Sequence, residues 1–470
     1  MDHEPSRARR TLILVNACVI TFMATLDGSI VNIALPTIAA SLRVGISAVQ
    51  WVVTSYLLVV SSLLLVWGRL SDIHGRKRFF AAGLGVFTLG SLLCGLSGSL
   101  PLLVASRAIQ AVGASMSMAL VQGIVTSTFP PAERGKALGF IGSVVAIGSL
   151  VGPSLGGLLV ATAGWRSIFF INVPIGLVGV VLTFAVMPES KGRGTEEGFD
   201  WTGAILLFLA ITAFFGGMLA FQEGALPPLA SLGAVAAALV MFLAFLRSAR
   251  KPAPLVDGSL FSSRVFTMGV IDSSLSYVAM FSYTFFMPFY LQTVRGMGAL
   301  HAGALMSLYP AVTAFLAPAA GALSDRITYR PLTIAGLLLN AAGLALLATL
   351  GPSTSLVAVG AIIVTLGVGG AFFQSPNNSS VMGSVPRERL GIAGSLNSFF
   401  RNLGMVSGTT LAVSLFTFTT KSGIDRVASG SMDASLFLSG FRVVVLVAAG
   451  FALAGMAGEV FGKKRGGTAA

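Results

Sequence analysis

Apolar residues run through this chain in blocks of about 20, with polar residues gathered in the short gaps between them. Blocks of that length cross the hydrocarbon core of a bilayer as helices, whereas barrel strands need only about ten alternating residues. About fourteen blocks of this length can be counted, centred near positions 22, 58, 88, 114, 148, 178, 210, 238, 280, 311, 341, 368, 403 and 450. The first runs from Thr11 to beyond Ile33, too long for the apolar region of a cleavable signal. The pattern predicts an all-α integral membrane protein.

Composition strengthens that picture. Hydrophobic residues make up 55% of the 470 positions and charged residues 10%, with a mean hydropathy of +0.88; soluble domains carry nearer a quarter charged residues. The formal charge of +13 is explained by topology rather than by nucleic acid. With the N-terminus inside, only Arg43, Arg166, Arg295, Lys421 and Arg426 fall outside and Arg107, Arg401 and Arg442 fall within spans. The rest of the 30 Lys and Arg residues face the cytoplasm. Both termini are therefore expected to be cytoplasmic, as an even number of spans requires. Cys18 and Cys94 fall within helices and read as small packing residues, not as a disulfide framework.

The longer gaps, Pro188–Asp200 and Arg247–Arg264, face the cytoplasm and bracket two helices, around Trp201–Phe221 and Leu229–Phe245. A repeat supports reading these two as an insert. Gly68-Arg-Leu-Ser-Asp72 follows the second block and Gly321-Ala-Leu-Ser-Asp325 the tenth; Gly148-xxx-Gly152 in the fifth is echoed by Gly404-xxx-Gly408 in the thirteenth. Together they predict two six-helix bundles, 1–190 and 251–470, either side of a two-helix insert, 191–250.

Several polar or small residues stand out against this background. In Leu26–Pro36, Asp27 puts a carboxyl inside the first helix, where it must face a cavity or a partner and is a candidate to take up and release a proton. Arg107, within the fourth helix, needs an acceptor or water, and Asp27 is an attractive one. Asn32 lies five positions beyond Asp27 and need not share its face. Asp272 in the ninth helix reads equally as functional or structural. Gln374, Asn377, Asn378 and Arg401 are polar groups of the second bundle, explained as well by helix–helix hydrogen bonds as by ligand contact. Glu459 reads as interfacial. Aromatic and Met residues including Trp51, Tyr56, Met116, Met118, Phe281, Tyr283, Phe286 and Tyr290 can line an adaptable apolar pocket or simply face lipid. From Gly139 to Gly157 the fifth helix reads GFIGSVVAIGSLVGPSLGG. Its glycines let neighbouring backbones approach closely, and Pro153 bends the axis.

This last stretch, with Gly139, Gly148, Gly152, Pro153, Gly156 and Gly157, resembles the fifth-helix signature of drug:proton antiporters in the major facilitator superfamily. The frame of Gly68, Asp72, Gly75 and Arg76 in GRLSDIHGRKR resembles the superfamily's loop between helices two and three, which in relatives latches the cytoplasmic gate. LDGSIVNIALP resembles the first-helix motif of the fourteen-spanner branch, whose acid is linked to proton coupling or cation binding. Arg107 and Gln110 match an Arg-x-x-Gln-Gly pattern in which this chain has Ala111 for the last glycine. SPNNS, GWRSIFFINVPIG (with Ser167 for a bulky aromatic) and FYLQTVRGMGALHAG extend the likeness from Leu26 to about Leu415.

The resemblance implies a proton-coupled antiporter of the inner membrane, with no cofactor beyond the proton. It would act as a monomer in the lipid bilayer and export amphipathic, often cationic, drugs or toxic compounds by alternating access. Asp27 and Arg107 would couple the proton. Asn32, Gln110, Asp272, Gln374 and Asn378 are the expected pocket residues. A dedicated exporter of an amphipathic metabolite, antibiotic or lipid shares every motif. An enzyme is disfavoured, because His3, His74 and His301 lie outside or at the edges of spans and no metal cluster or nucleophile set stands within them. No phosphate-binding G-x-x-x-x-G-K-[ST] loop occurs.

Overall fold

The computed structural model describes residues 6–188, 199–222, 227–248, 255–256, 258–385, 390–420 and 432–461; the side chains of Asp72, Gly139 and Asp325 lie outside the described residues. Among the described residues the chain is helical, with no strand. The first bundle comprises α1 (Arg7–Leu42), α2 (Ile46–His74), α3 (Arg76–Leu96), α4 (Leu100–Thr128), α5 (Pro131–Ala163), a short α6 (Ser167–Phe170) and α7 (Asn172–Val186). Then come α8 (Trp201–Gln222) and α9 (Pro228–Ser248). The second bundle follows: α10 (Arg264–Phe289), α11 (Ala299–Met306), α12 (Leu308–Ile327), α13 (Tyr329–Leu347), α14 (Leu356–Gly383), α15 (Leu390–Thr420) and α16 (Ala434–Phe461). Thirteen stretches are long and apolar enough to span a membrane, and Leu232–Ser248 of α9 is a shorter apolar helix, which together match the expected fourteen.

Two spans are broken, each with a local cause. Pro174 near the start of α7 and Pro310 near the start of α12 lack the N–H that would continue a helix from behind, so the chain turns at Ile171 and at Ser307. A third irregularity is a π turn, Tyr290–Val294, directly after Pro288 near the end of α10.

Within the first bundle α1 packs on α5 and α7, and α4 on α2 and α3; within the second, α10 packs on α15 and α16, and α14 on α12 and α13. The correspondence runs to single residues. Gly83 on α3 abuts Ser117 of α4 as Gly336 on α13 abuts Phe373 of α14, and Gly90 meets Gln110 as Gly343 meets Leu366. Gly179 of α7 lies over Leu84 and Val19, and Gly455 of α16 over Leu337 and Asp272. The glycine echo expected between α5 and α15 is displaced by one helical turn. Ser29 of α1 donates to the carbonyl of Gly148 at 3.2 Å, and Ser282 of α10 donates to that of Gly408, also at 3.2 Å, so Gly148 corresponds to Gly408 and not to Gly404.

The helices α8 and α9 pack on each other, and α8 leans on both α2 and α15, at the junction of the bundles. Asp200 ties the pair together: its Oδ1 accepts from the Gly203 N–H at 2.9 Å, capping α8, and its Oδ2 accepts from the Ser248 hydroxyl at 2.6 Å. Val357 at the start of α14 and Phe418 at the end of α15, each 83% exposed, turn apolar side chains outward, as a surface in lipid allows.

Candidate functional site: a buried ionic network and a glycine seam

Asp27 lies 20 residues into α1, about 30 Å along the helix from Arg7, so it sits just beyond the middle of this 36-residue helix. Its carboxylate is fully buried. Oδ2 accepts from Arg107 Nη1 of α4 at 2.5 Å, and Oδ1 accepts from Gln110 Nε2 at 2.9 Å and Asn172 Nδ2 at 3.2 Å. Arg107 Nη1 also donates to Gln110 Oε1 at 2.6 Å, and its Nε donates to the Val52 carbonyl of α2 at 3.0 Å. The Tyr56 ring covers the guanidinium, 4.2 Å from its carbon to the ring centroid. Gln110 Nε2 further donates to the Ser91 hydroxyl of α3 at 2.8 Å. Five helices thus converge on one ion pair. The three hydrogen bonds described at the carboxylate are all ones that it accepts, so an added proton would face these donors.

Arg107 therefore does not snorkel to an interface; it is 1% exposed and anchored on Asp27. Gln110 is corrected from a pocket residue to a member of this network, 0% exposed and bonded on both amide atoms. Asn172, Ser91 and Tyr56 were not expected there. Asn172 stands out in its sequence stretch only as an amide in an apolar run, and its arrival depends on the break before α7. On α2, next to the network, the side chains of Gln50, Thr54 and Ser55 are buried without hydrogen-bond partners among the described residues, as are the Tyr56 hydroxyl and Asn172 Oδ1. In the second bundle the corresponding positions are apolar: Met280 for Asp27, Ile363 for Arg107, Leu366 for Gln110 and Ala448 for Asn172, all buried. The ionic network belongs to one bundle alone.

The other expected residues separate into distinct places. Asn32 donates to the Gly28 carbonyl of its own helix at 3.2 Å and takes no part in the network. Gln374 donates to the Tyr309 hydroxyl at 3.0 Å, Asn377 to the Gly269 carbonyl at 3.0 Å, and Asn378 accepts from Asn397 at 2.8 Å. Phe286 stacks on Phe416 and Tyr290 on Phe441, so both are core residues of the second bundle rather than pocket linings. Asp272 is not a pocket residue either: it is 1% exposed, with Glu459 of α16 beside it. Glu459, expected at the interface, is 8% exposed. Cys18 and Cys94 are free and buried.

The segment Gly68–His74 is the last two turns of α2 rather than a loop, and only Gly75 separates it from α3. Its φ of 98° and ψ of 137° suit a residue without Cβ. Arg76 then reaches back to donate to the Gly123 carbonyl of α4 at 2.8 Å. At the matching junction of α12 and α13 the same turn is made by Thr328, at φ 71° and ψ 157°.

On α5 the glycines form two seams. Gly148, Gly152 and Gly156 press on α1, where side chains would collide with Thr25, Ser29, Ile30 and Ile33. Gly157 faces the other way, against the backbone of Ala299 and Leu300 on α11, and Gly303 of α11 sits against the Pro153 carbonyl. The Ser154 and Ser307 hydroxyls are 2.8 Å apart. Nearby, Gln292 in the π turn donates to the Ile33 carbonyl at 3.0 Å. These contacts join the two bundles at the far end of the molecule.

Two pseudo-symmetric helical bundles that meet through α5 with α11 and α2 with α15, with an ion pair sealed inside one of them, have the architecture of a membrane transporter. The chain belongs to the Major Facilitator Superfamily, whose sequence profile matches residues 17–409. Its similarity to the riboflavin transporter RibZ of Clostridioides difficile is 38% identity over 87% of this chain and 88% of that one. With the tetracenomycin C resistance and export protein of Streptomyces glaucescens it shares 30% identity over 87% of this chain and 77% of that one. The fold matches the crystal structure of a bacterial homologue of the human lysosomal transporter Spinster, with a TM-score of 0.68 and 15% identity over 97% of each chain. The chain is a multi-pass membrane transporter and not an enzyme.

Proposed function

We propose that this protein is a proton-driven exporter of the cytoplasmic membrane, with both termini in the cytoplasm, acting as a monomer on amphipathic, often cationic, drugs or toxic compounds. The observation that carries the reading is the Asp27–Arg107 pair tied into α1, α2, α3, α4 and α7. A proton arriving at Asp27 cancels its charge, turns one accepting oxygen into a donor among three donors and releases Arg107. The packing of those helices therefore depends on whether the site is protonated, and a proton gradient can bias it; 100 mV is worth about 2.3 kcal/mol per charge moved. Substrate and proton alternate because they favour different arrangements of the bundles. The seam at Gly157 and Gly303 closes the outer end in this arrangement. The turn at Gly75 and Arg76 would serve the cytoplasmic gate. The resistance and export role named for the Streptomyces relative supports the outward direction.

A second reading is favoured by the relative named as a riboflavin transporter, at 38% identity: the protein carries one dedicated aromatic compound rather than a range. The two are separated by measuring transport of ethidium and of riboflavin in proteoliposomes, with and without an imposed pH gradient, for the wild type and Asp27→Asn. Gradient-driven ethidium transport lost in Asp27→Asn supports the first reading. Riboflavin transport without ethidium transport supports the second. A variant that keeps full gradient-driven transport removes Asp27 from the coupling.

A further inference from the structure

The second bundle has its own buried acids, and the proposed coupling at Asp27 does not use them. Asp272 lies eight residues into α10, about 12 Å from the start of that helix at Arg264 and so on the opposite half of the membrane from Asp27. It is 1% exposed. Its Oδ1 rests over the bare backbone of Gly455 and Gly458 on α16; side chains there would begin 3.6 and 3.4 Å away. Its Oδ2 has no hydrogen-bond donor among the described residues. The neighbour in side-chain contact with it is another acid, Glu459.

Among the described residues, a positive charge adjoins the Glu459 side of the pair. Arg330 of α13 places Nε 3.9 Å from Glu459 Oε2 and donates from the same nitrogen to the Glu459 carbonyl at 2.9 Å. Tyr329 also faces the group. Of the remaining helices packed on α10, α14 contains no titratable side chain, α15 contributes only Arg401, and α1 carries Cys18, the Arg107-paired Asp27 and, at its start, Arg7, Arg9 and Arg10. Two carboxylates in contact repel, and one arginine neutralises one of them. Contact between carboxyl oxygens becomes attractive when a single proton lies between them.

The internal symmetry shows that packing does not demand these acids. Where Gly455 lies over Leu337 and Asp272, Gly179 lies over Leu84 and Val19. By the same correspondence Glu459 stands at the place of Thr183, and Arg330 at that of Lys77. The first bundle fills this position with a valine and a threonine, the latter hydrogen-bonded to Asn16 at 2.8 Å. Burying two acids beside one base is costly where an uncharged solution exists in the same fold, and groups of this kind in membrane helices mark ion pathways.

We propose that Asp272 and Glu459 hold one proton between them and form a second proton site, in the second bundle and on the cytoplasmic half, with Arg330 keeping Glu459 as the ionised partner. Release is a simple ionisation: the proton leaves Asp272 for water at the cytoplasmic mouth, and the pair gains one negative charge. The first site faces the outer half and the second the inner half, each absent from the opposite bundle. The role of the second site in transport rests on the proton-coupled reading above; its holding of a proton does not.

The test is infrared difference spectroscopy of the purified full-length protein over a pH titration, reading the carbonyl stretch of protonated carboxyl groups, for the wild type, Asp272→Asn, Glu459→Gln and Asp27→Asn. A band lost in both pair variants and kept in Asp27→Asn is the expected result; a band kept in both pair variants overturns the proposal. The double variant Asp272→Val/Glu459→Thr copies the first bundle, is expected to fold, and must also lose the band. Efflux of ethidium then separates the two levels. Pair variants that lose the band and the stimulation by a pH gradient, while retaining passive exchange, support the role in coupling. Full gradient-driven efflux in those variants overturns that role. A wild type with the band but no gradient-driven transport rejects the export reading and leaves the proton site standing.

Discussion

At the Asp27–Arg107 pair both charges are buried and each is satisfied by the other, so removing one leaves the other stranded. Such losses cost about 3–5 kcal/mol, whereas replacing both partners with neutral groups of similar shape costs far less. Asp27→Ala and Arg107→Ala are each expected to lower the melting temperature in detergent sharply, and Asp27→Asn/Arg107→Gln to recover much of it; additive losses in the double variant would mean that the pair is not coupled. The sequence showed that both residues needed partners, since an ionisable group in a membrane helix is legible alone. It did not show the rest of the shell. Gln110 read as a pocket residue because its face on α4 depends on how α3 approaches, through the close contact at Gly90. Asn172 depends on a helix break. Residues brought in by tertiary packing carry no signal at their own position.

The elements themselves were legible, because block length and hydropathy fix where a membrane helix can lie. Their junctions were less so. The stretch after Gly68 reads as polar and therefore as loop, yet helix continues to His74, where water and headgroups satisfy its polar face as well as a loop would. The tight turn that follows sets a stereochemical test. Thr328 adopts a backbone conformation that favours glycine, and the matching turn has Gly75 there. Thr328→Gly is expected to stabilise the protein by roughly 1 kcal/mol, and Gly75→Thr to destabilise it by at least as much, as measured by thermal unfolding. On α5 the direction each glycine faces decides its role. Gly152→Leu collides with Ser29 within the first bundle and is expected to impair folding and yield. Gly157→Leu collides with α11 of the other bundle and is expected to leave a folded protein in which this seam no longer closes, detected as increased labelling of a cysteine placed there.

For the whole molecule, the repeat in the sequence indicated two related bundles, but glycine spacing alone paired α5 with α15 one turn out of register. The hydroxyls of Ser29 and Ser282 set the correct pairing, and a spacing that recurs every four residues along a helix could not. Correct registration exposes the asymmetry: one bundle carries Asp27 and Arg107, the other Asp272, Glu459 and Arg330, and neither copies the other. Relative motion of the bundles can be tested where they touch. The Ser154→Cys/Ser307→Cys variant is expected to form a disulfide under mild oxidation and to stop transport, with activity restored by a reductant. Unimpaired transport by the crosslinked protein would show that this seam does not open during the cycle.

The native thiols make such experiments simpler than usual. Cys18 and Cys94 are the chain's two cysteines, and both are sealed between helices. A maleimide reagent applied to the folded protein should therefore pass them by, so the natural sequence already serves as a silent background for spectroscopy. Pairs of fluorophores or spin labels could be placed at either mouth of the transporter without first stripping out its own cysteines, and distances recorded on a molecule otherwise unchanged.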